Sequence, residues 1–270
     1  MTVTEKLLTF AHISDTHLHH DVTYTNKHID YPALPAVRRL VAYLNAFDAP
    51  IDFVLHTGDV AHYLNAPEEY YAIREMLKDI AYPVRYMPGN HDHVLWFQSH
   101  FLQLEPHDIT VTYDRNFEVN GVQFIMLDST RPKEEETASG MVSDEQLAWL
   151  DALCSADDSR PLVVTTHHQV IPTQAPWVDN IRLINGDAVH EILLKAKHRL
   201  RGVFYGHIHE SLVTVRDGIS YYSAPSGWYQ TQTYHAQEKP SLGFIPNNGF
   251  NLVTLTAKDT FVRVIRLPHE

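Results

Sequence analysis

Apolar residues in this chain gather in short runs separated by polar, turn-rich stretches. LLTFAHIS (7–14), FVLHTG (53–58), VRYMP (84–88), PLVVTT (161–166) and GVFY (202–205) are nearly continuous apolar segments of strand length. A strand buried on both faces reads this way. Between the first three runs the spacing turns helical, in PAVRRLVAYLNAF over 35–47 and again over 67–80. Such β-α-β-α-β alternation predicts a parallel sheet with helices packed on it. The pattern changes over 110–128, where two extended runs flank Asn120-Gly121, a strong hairpin signal. Ser143-x-x-Gln146 reads as a capping box opening a helix at 144–154. Strand 162–166, helix 186–198 and strand 202–205 resume the alternation. Asp217-Gly218 between VTVR and ISYYSA predicts a second hairpin, and strands near 251–256 and 260–267 follow. Parallel units and hairpins together predict an α/β fold of two packed mixed sheets flanked by helices.

Composition narrows the function classes. A chain of 270 residues can build one sizeable core, and one domain over 1–270 is expected. The apolar runs stay far below the ~18 residues of a membrane span. The stretch MTVTEKLLTF reads as the lead-in to a first strand and not as a secretory signal. One cysteine, Cys154, ends a helical pattern and reads as packing, which leaves a reducing, cytoplasmic setting as the expectation. A formal net charge of −12 disfavours duplex nucleic acid as a partner, because that partner demands phosphate neutralisation by Lys and Arg. It leaves a small phosphate ester open, since bound metal ions dominate a local field.

The candidate chemistry sits where the strand-like runs end. Asp15-Thr16-His17, Gly58-Asp59, Gly89-Asn90-His91-Asp92, His167-His168 and Gly206-His207-Ile208-His209 each fall at or just past an apolar run. A parallel sheet gathers its strand ends along one edge, and ligands bind at that carboxyl edge. Asp15 and His17, like His207 and His209, are two apart, and in extended backbone such residues point the same way. Each motif alone has a plainer reading. Asp-x-His is commonly a surface loop, Asp59 a turn or cap residue, Asn90 a turn former, and a histidine ending a strand a hydrogen-bonded core residue. Those readings must hold at every strand end together, which is improbable. Other histidines, His19, His20, His28, His190, His198 and His269 among them, need no special role.

In this order and composition the motifs resemble the calcineurin-like metallophosphoesterases. Asn65-Ala-Pro-Glu-Glu-Tyr70, Tyr82-Pro83, Leu127-Asp128-Ser129, Ser139-Gly140 and the Asp144–Leu150 helix are similar to the cyclic-nucleotide and glycerophosphodiester phosphodiesterase branch. The resemblance spans 12–209 and implies a four-layer αββα sandwich with two metal ions. By position, Asp15, His17, Asp59 and His209 hold one ion. Asp59, Asn90, His167 and His207 hold the other, and Asp59 bridges. Mixed His and carboxylate ligands suit Mn, Fe or Zn better than Ca or Mg. Two divalent ions outweigh two carboxylates and a bridging hydroxide by about one charge, which attracts a phosphodiester anion. That hydroxide would attack phosphorus in line, while His91 stabilises charge or protonates the leaving alkoxide. Asp92 orients His91 or caps the following helix.

Departures from the pattern bear on specificity. Gln169 stands where the family often has proline, so His167 is aligned as the ligand, with His168 beside it as an outer or substrate group. His62 replaces the usual Asp or Asn three residues past Asp59, and reads either as a group near substrate or outer-sphere water or as an ordinary loop histidine. Gly58-Asp-Val-Ala-His62 and the ending in Asp92 argue against a protein Ser/Thr phosphatase. A small-molecule phosphodiesterase fits best, with a phosphomonoesterase or nucleotide phosphatase as the alternative and a binding protein on the same fold as the non-enzyme reading. The aromatic stretch 221–250 is expected to form a lid or wall, with Trp228, Tyr229 or Tyr234 stacking on a base, or else to pack a loop or a homo-oligomer interface.

Overall fold

A computed structural model describes residues 5–132, 137–243 and 248–268. Residues 1–4 of the expected lead-in, 244–247 of the aromatic stretch and His269 lie outside the described residues. The chain runs β1 (Lys6–Ile13), α1 (Ala33–Ala46), β2 (Phe53–His56), α2 (Glu69–Leu77), β3 (Val84–Tyr86) and α3 (Val94–Trp96). It continues through β4 (Arg115–Val119), β5 (Val122–Met126), α4 (Asp144–Cys154), β6 (Leu162–Thr165), α5 (Pro176–Asp179), α6 (Gly186–Lys195) and β7 (Leu200–Tyr205). The last elements are β8 (Val213–Arg216), β9 (Ile219–Ser223), β10 (Gln230–Thr231), β11 (Leu242–Gly243), β12 (Gly249–Thr256) and β13 (Thr260–Arg266).

One sheet has the order β13-β12-β1-β2-β3 and the other β4-β5-β6-β7-β9-β8. β1, β2 and β3 are parallel, as are β5, β6, β7 and β9. The antiparallel additions are β12, β13, β4 and β8. Both sheets are therefore mixed, as the sequence predicts, and both expected hairpins form. Asn120-Gly121 and Asp217-Gly218 each turn with both residues at positive φ, which matches the twist of the strands they join.

Strand alternation builds the layers. Phe10, Phe53, Leu55, Phe124, Val163 and Phe204 pack between the two sheets. Their sequence neighbours Ala11, Ile13 and Val54 face α1 and α2 on one side. Ile125, Val164 and Val203 face α4 and α6 on the other. The result is the expected helix–sheet–sheet–helix stack. Ser143 caps α4 as predicted, its side chain accepting from Gln146 N while the Gln146 side chain accepts from Ser143 N. Cys154 is buried and free, with burial pushing its thiol up to about 11. Two features depart from expectation. A π-helical turn at Phe97–Phe101 follows α3 directly. The described residues of the 221–250 stretch also carry strands, in β9, the β10–β11 ribbon and β12, where a loop-like segment was expected. Among the described residues no helix is long and apolar enough to cross a membrane.

Candidate metal centre

The parallel pairing of β1 with β2 does not stop at the strand ends. Asp15 N donates to Gly58 O at 3.0 Å and His17 N to Asp59 O at 2.9 Å. The two loops that carry these residues therefore continue as a paired ladder into the site. Their backbone is not extended, as the two-residue spacing had implied. Asp15, His17, Asp59, His207 and His209 all have φ between 44° and 67°. Non-glycine residues in this left-handed region cost of order 1–3 kcal/mol each and gather at functional sites. The kinks send the paired histidines apart: His209 faces His17, and His207 faces His167.

Two clusters meet at Asp59. In the first, ligand-type atoms of Asp15, His17, Asp59 and His209 lie within 4.8 Å of one another, all buried. His17 Nε2 is 3.0 Å from His209 Nε2, and His209 Nε2 is 3.4 Å from Asp15 Oδ1. In the second, His167 Nε2 stands 3.1 Å from Asn90 Oδ1, and ligand-type atoms of His167, His168 and His207 lie within 4.8 Å of one another. Asp59 Oδ2 lies between the clusters, 3.5 Å from His17 Nε2 and 3.4 Å from His167 Nε2. The other oxygen, Oδ1, is held by His91 N–H at 2.8 Å. Space for this arrangement depends on Gly89, where an added Cβ would meet Asp59 Oδ1 at 2.2 Å.

Each histidine of the two clusters has one ring nitrogen tied outward and the other facing in. His167 Nδ1 bonds Thr57 O at 2.8 Å, His209 Nδ1 bonds Tyr229 O at 3.0 Å, and His207 Nε2 bonds Ile181 O at 3.0 Å. His17 Nδ1 lies 3.1 Å from His62 Nδ1. Metal-ligating histidines are oriented in this way, the outer bond fixing the tautomer. His168 differs, since Ser129 Oγ at 2.8 Å and Ala138 O at 3.1 Å take up both its ring nitrogens.

Electrostatics point the same way. Asp15 and Asp59 are buried, and their ion pairs among the described residues are with histidines. A buried charge demands a counter-charge. Burial pushes the Asp15 carboxyl up, but His209 and His167 outweigh it and hold it below the usual range. Burial pushes His167 down, yet Asp59 and Asp15 overcome it and raise it to about 9. His207 falls to about 3 through burial and the neighbouring His167. The donor set and its geometry fit metal ions.

A family profile for calcineurin-like phosphoesterases matches residues 8–211. The chain belongs to the calcineurin-like phosphoesterase family. It is 27% identical over 238 residues to a glycerophosphodiester phosphodiesterase of Enterobacter lignolyticus, covering 87% of this chain and 83% of that one. It is 26% identical to a 3',5'-cyclic-nucleotide phosphodiesterase of Nostoc, covering 81% and 78%. A dimetal phosphatase from Danio rerio superposes with a TM-score of 0.67 at 16% identity, over 97% of this chain and 100% of that one, a likeness of fold.

Other residues surround the two clusters of this calcineurin-like site. Asp92 is buried between the 58–61 loop and the 89–92 turn. Its carboxylate accepts from Val60 N, Gly89 N, Ala61 N and Tyr70 OH, all at 3.0 Å. It ties the 58–61 loop to the 89–92 turn. His62 and His168, expected beside the ligands as outer or substrate groups, turn ring nitrogens to His17 and Ser129. Trp228 is buried at 1% exposure and donates Nε1–H to Tyr31 O at 2.9 Å, so it is core and no base platform. Tyr229 packs on His209 at 4.3 Å between ring centroids, and Tyr234 is exposed.

Sequence reasoning passed over His12 and His56, whose signal is a histidine inside an otherwise apolar strand. Both are fully buried, and burial holds each at about 3. His56 Nε2 bonds Thr16 Oγ1 at 3.0 Å and its Nδ1 accepts from Gly58 N at 3.3 Å, while His12 Nε2 bonds Thr57 Oγ1 at 3.0 Å. They brace the loops from behind. Beside the 89–93 turn lies a largely apolar cavity of about 450 Å³, walled by His93, Leu95, Val111, Arg131 and Met141.

Proposed function

We propose that this chain is a two-metal phosphodiesterase acting on small diesters, either cyclic nucleotides or glycerophosphodiesters. The observation that carries the reading is Asp59 Oδ2, set 3.5 Å and 3.4 Å from an inward-facing nitrogen of each cluster. A shared carboxylate at such a point is what a pair of ions ~3.5–4 Å apart requires. Asp15, His17, Asp59 and His209 would hold one ion, and Asp59, Asn90, His167 and His207 the other. Manganese, iron and zinc are the metals this mixed donor set suits. When bound, the ions supply charge that lowers the pKa of water and holds the phosphoryl oxygens.

The chain's own residues do the rest. His91 Nε2 lies 3.9 Å from Asp59 Oδ2, at the edge of the centre and outside both ligand sets. From there it donates a proton or a hydrogen bond to the oxygen that leaves phosphorus. Asp59 Oδ1 keeps His91 in register through the backbone bond at 2.8 Å. The apolar cavity beside the same turn has the size of a small-ligand pocket. The lone, buried Cys154 accords with a cytoplasmic setting. The relatives named above support both diester classes.

The test is hydrolysis of bis(p-nitrophenyl) phosphate against p-nitrophenyl phosphate by apo protein reconstituted with Mn²⁺, followed by cAMP and glycerophosphocholine. Metal-dependent turnover that favours the diester supports the reading. Faster monoester cleavage makes the chain a phosphatase, and no turnover under Mn²⁺, Fe²⁺ or Zn²⁺ leaves a binding protein.

A further inference from the structure

His62 stands on the loop that leaves β2 and is 5% exposed. Backbone pairing fixes its place: His62 N donates to Leu18 O at 2.9 Å, and Leu18 N to Val60 O at 3.0 Å. Its ring presents Nδ1 to His17 Nδ1 at 3.1 Å. One face stacks on His91, with centroids 4.7 Å apart and planes 24° from parallel. Trp228 meets the ring edge-on at 5.4 Å.

The protons can be placed by counting. His17 turns Nε2 toward Asp15, Asp59 and His209. A neutral imidazole that offers its Nε2 lone pair to a metal carries its proton on Nδ1. His17 Nδ1–H therefore donates to His62 Nδ1, and the His62 proton sits on Nε2. The other inward-facing histidines lean on backbone carbonyls, of Thr57, Ile181 and Tyr229. His17 leans on a second imidazole, a side chain that a single substitution can change.

We infer that His62 is the outer partner of His17 and sets the affinity of the metal position formed by Asp15, His17, Asp59 and His209. The inference rests on the two-metal reading above. His62 is a positioning residue: it fixes the tautomer and aim of His17, and through its stacked face it also seats His91. Loss of such an outer partner costs about 10–100-fold in metal affinity. A neutral acceptor polarises the His17 proton less than a carboxylate does, so this position binds its ion more weakly than it would with aspartate at 62.

The experiment is a Mn²⁺ titration of the full chain against a chelating indicator, with stoichiometry from equilibrium dialysis, for wild type, His62→Ala, His62→Asn and His62→Asp. Wild type should take two ions. His62→Ala should weaken one binding step by about 10–100-fold and spare the other. His62→Asn, whose amide oxygen accepts the His17 proton, should recover most of the loss, and His62→Asp should bind more tightly than wild type. Two binding steps unchanged in His62→Ala, in protein with a wild-type circular dichroism melt, would overturn the inference alone. If His62→Ala does not fold, equal affinities in His62→Asn and His62→Asp overturn it. Wild type that binds no Mn²⁺ would instead remove the two-metal reading and this inference with it.

Discussion

Gly89→Ala should disable the metal centre while leaving the fold in place. The new Cβ would stand 2.2 Å from Asp59 Oδ1 and 2.3 Å from Asp59 N, whereas ordinary contact begins at 3.4 Å. The turn and Asp59 must therefore separate by about 1 Å, a case of overpacking. Neither side yields easily. Asp59 N is backbone, already held at φ 51°, and Asp59 Oδ1 is bonded to His91 N of the same turn at 2.8 Å. Overpacking costs about 1–3 kcal/mol of stability, which is roughly 2–10 °C in Tm for a chain of this size. The catalytic loss should be larger, because ligand geometry tolerates only about 0.5 Å and a 1 Å misplacement costs about 100-fold. The assay is kcat/KM for bis(p-nitrophenyl) phosphate under saturating Mn²⁺, with bound metal counted in parallel. A variant that keeps two ions and stays within about threefold of wild type would refute the claim that this turn sets the position of Asp59.

Asp59→Asn should weaken both metal positions at once, seen as loss of both ions on dialysis; retention of full activity contradicts a shared ligand. His91→Ala should keep both ions while turnover falls about 10²–10⁴-fold, and loss of metal would mean that His91 is a ligand. His167→Ala should lose one ion whereas His168→Ala keeps both, since both His168 ring nitrogens are bonded elsewhere; dialysis separates the two outcomes. Trp228→Ala should destabilise the fold by about 3–5 kcal/mol, read by urea unfolding, because the ring is core and its Nε1–H bond to Tyr31 O is lost.

Much of the fold is legible in the chain because its signals are periodic or local. The five apolar runs all became strands, although β3 is a half-buried edge strand, and Asn120-Gly121 and Asp217-Gly218 both turned as their residue types require. Helix ends were less so: α2 closes at Leu77 and α6 at Lys195, short of the apolar spacing that suggested 80 and 198. The π-helical turn after α3 carries no periodic mark. In the site, the identities of Asp15, His17, Asp59, Asn90, His167, His207 and His209 stand out because each is a ligand type at a strand end. Their geometry does not. The left-handed backbone that splits His207 from His209 is a property of packed loops, not of spacing. The carbonyls of Thr57, Ile181 and Tyr229 that aim the imidazoles belong to residues whose side chains announce nothing. The partners of Asp92, three backbone N–H groups and the Tyr70 hydroxyl, are likewise brought together only by the folded loops.

The most direct test of the central claim is a crystal structure of the Mn²⁺-loaded protein with anomalous data at the manganese edge. Two peaks ~3.5–4 Å apart, with Asp59 Oδ2 touching both, His17 on one side and His167 on the other, are the expected result. A single peak, or a second one held by His168 in place of His167, would contradict the shared-carboxylate centre.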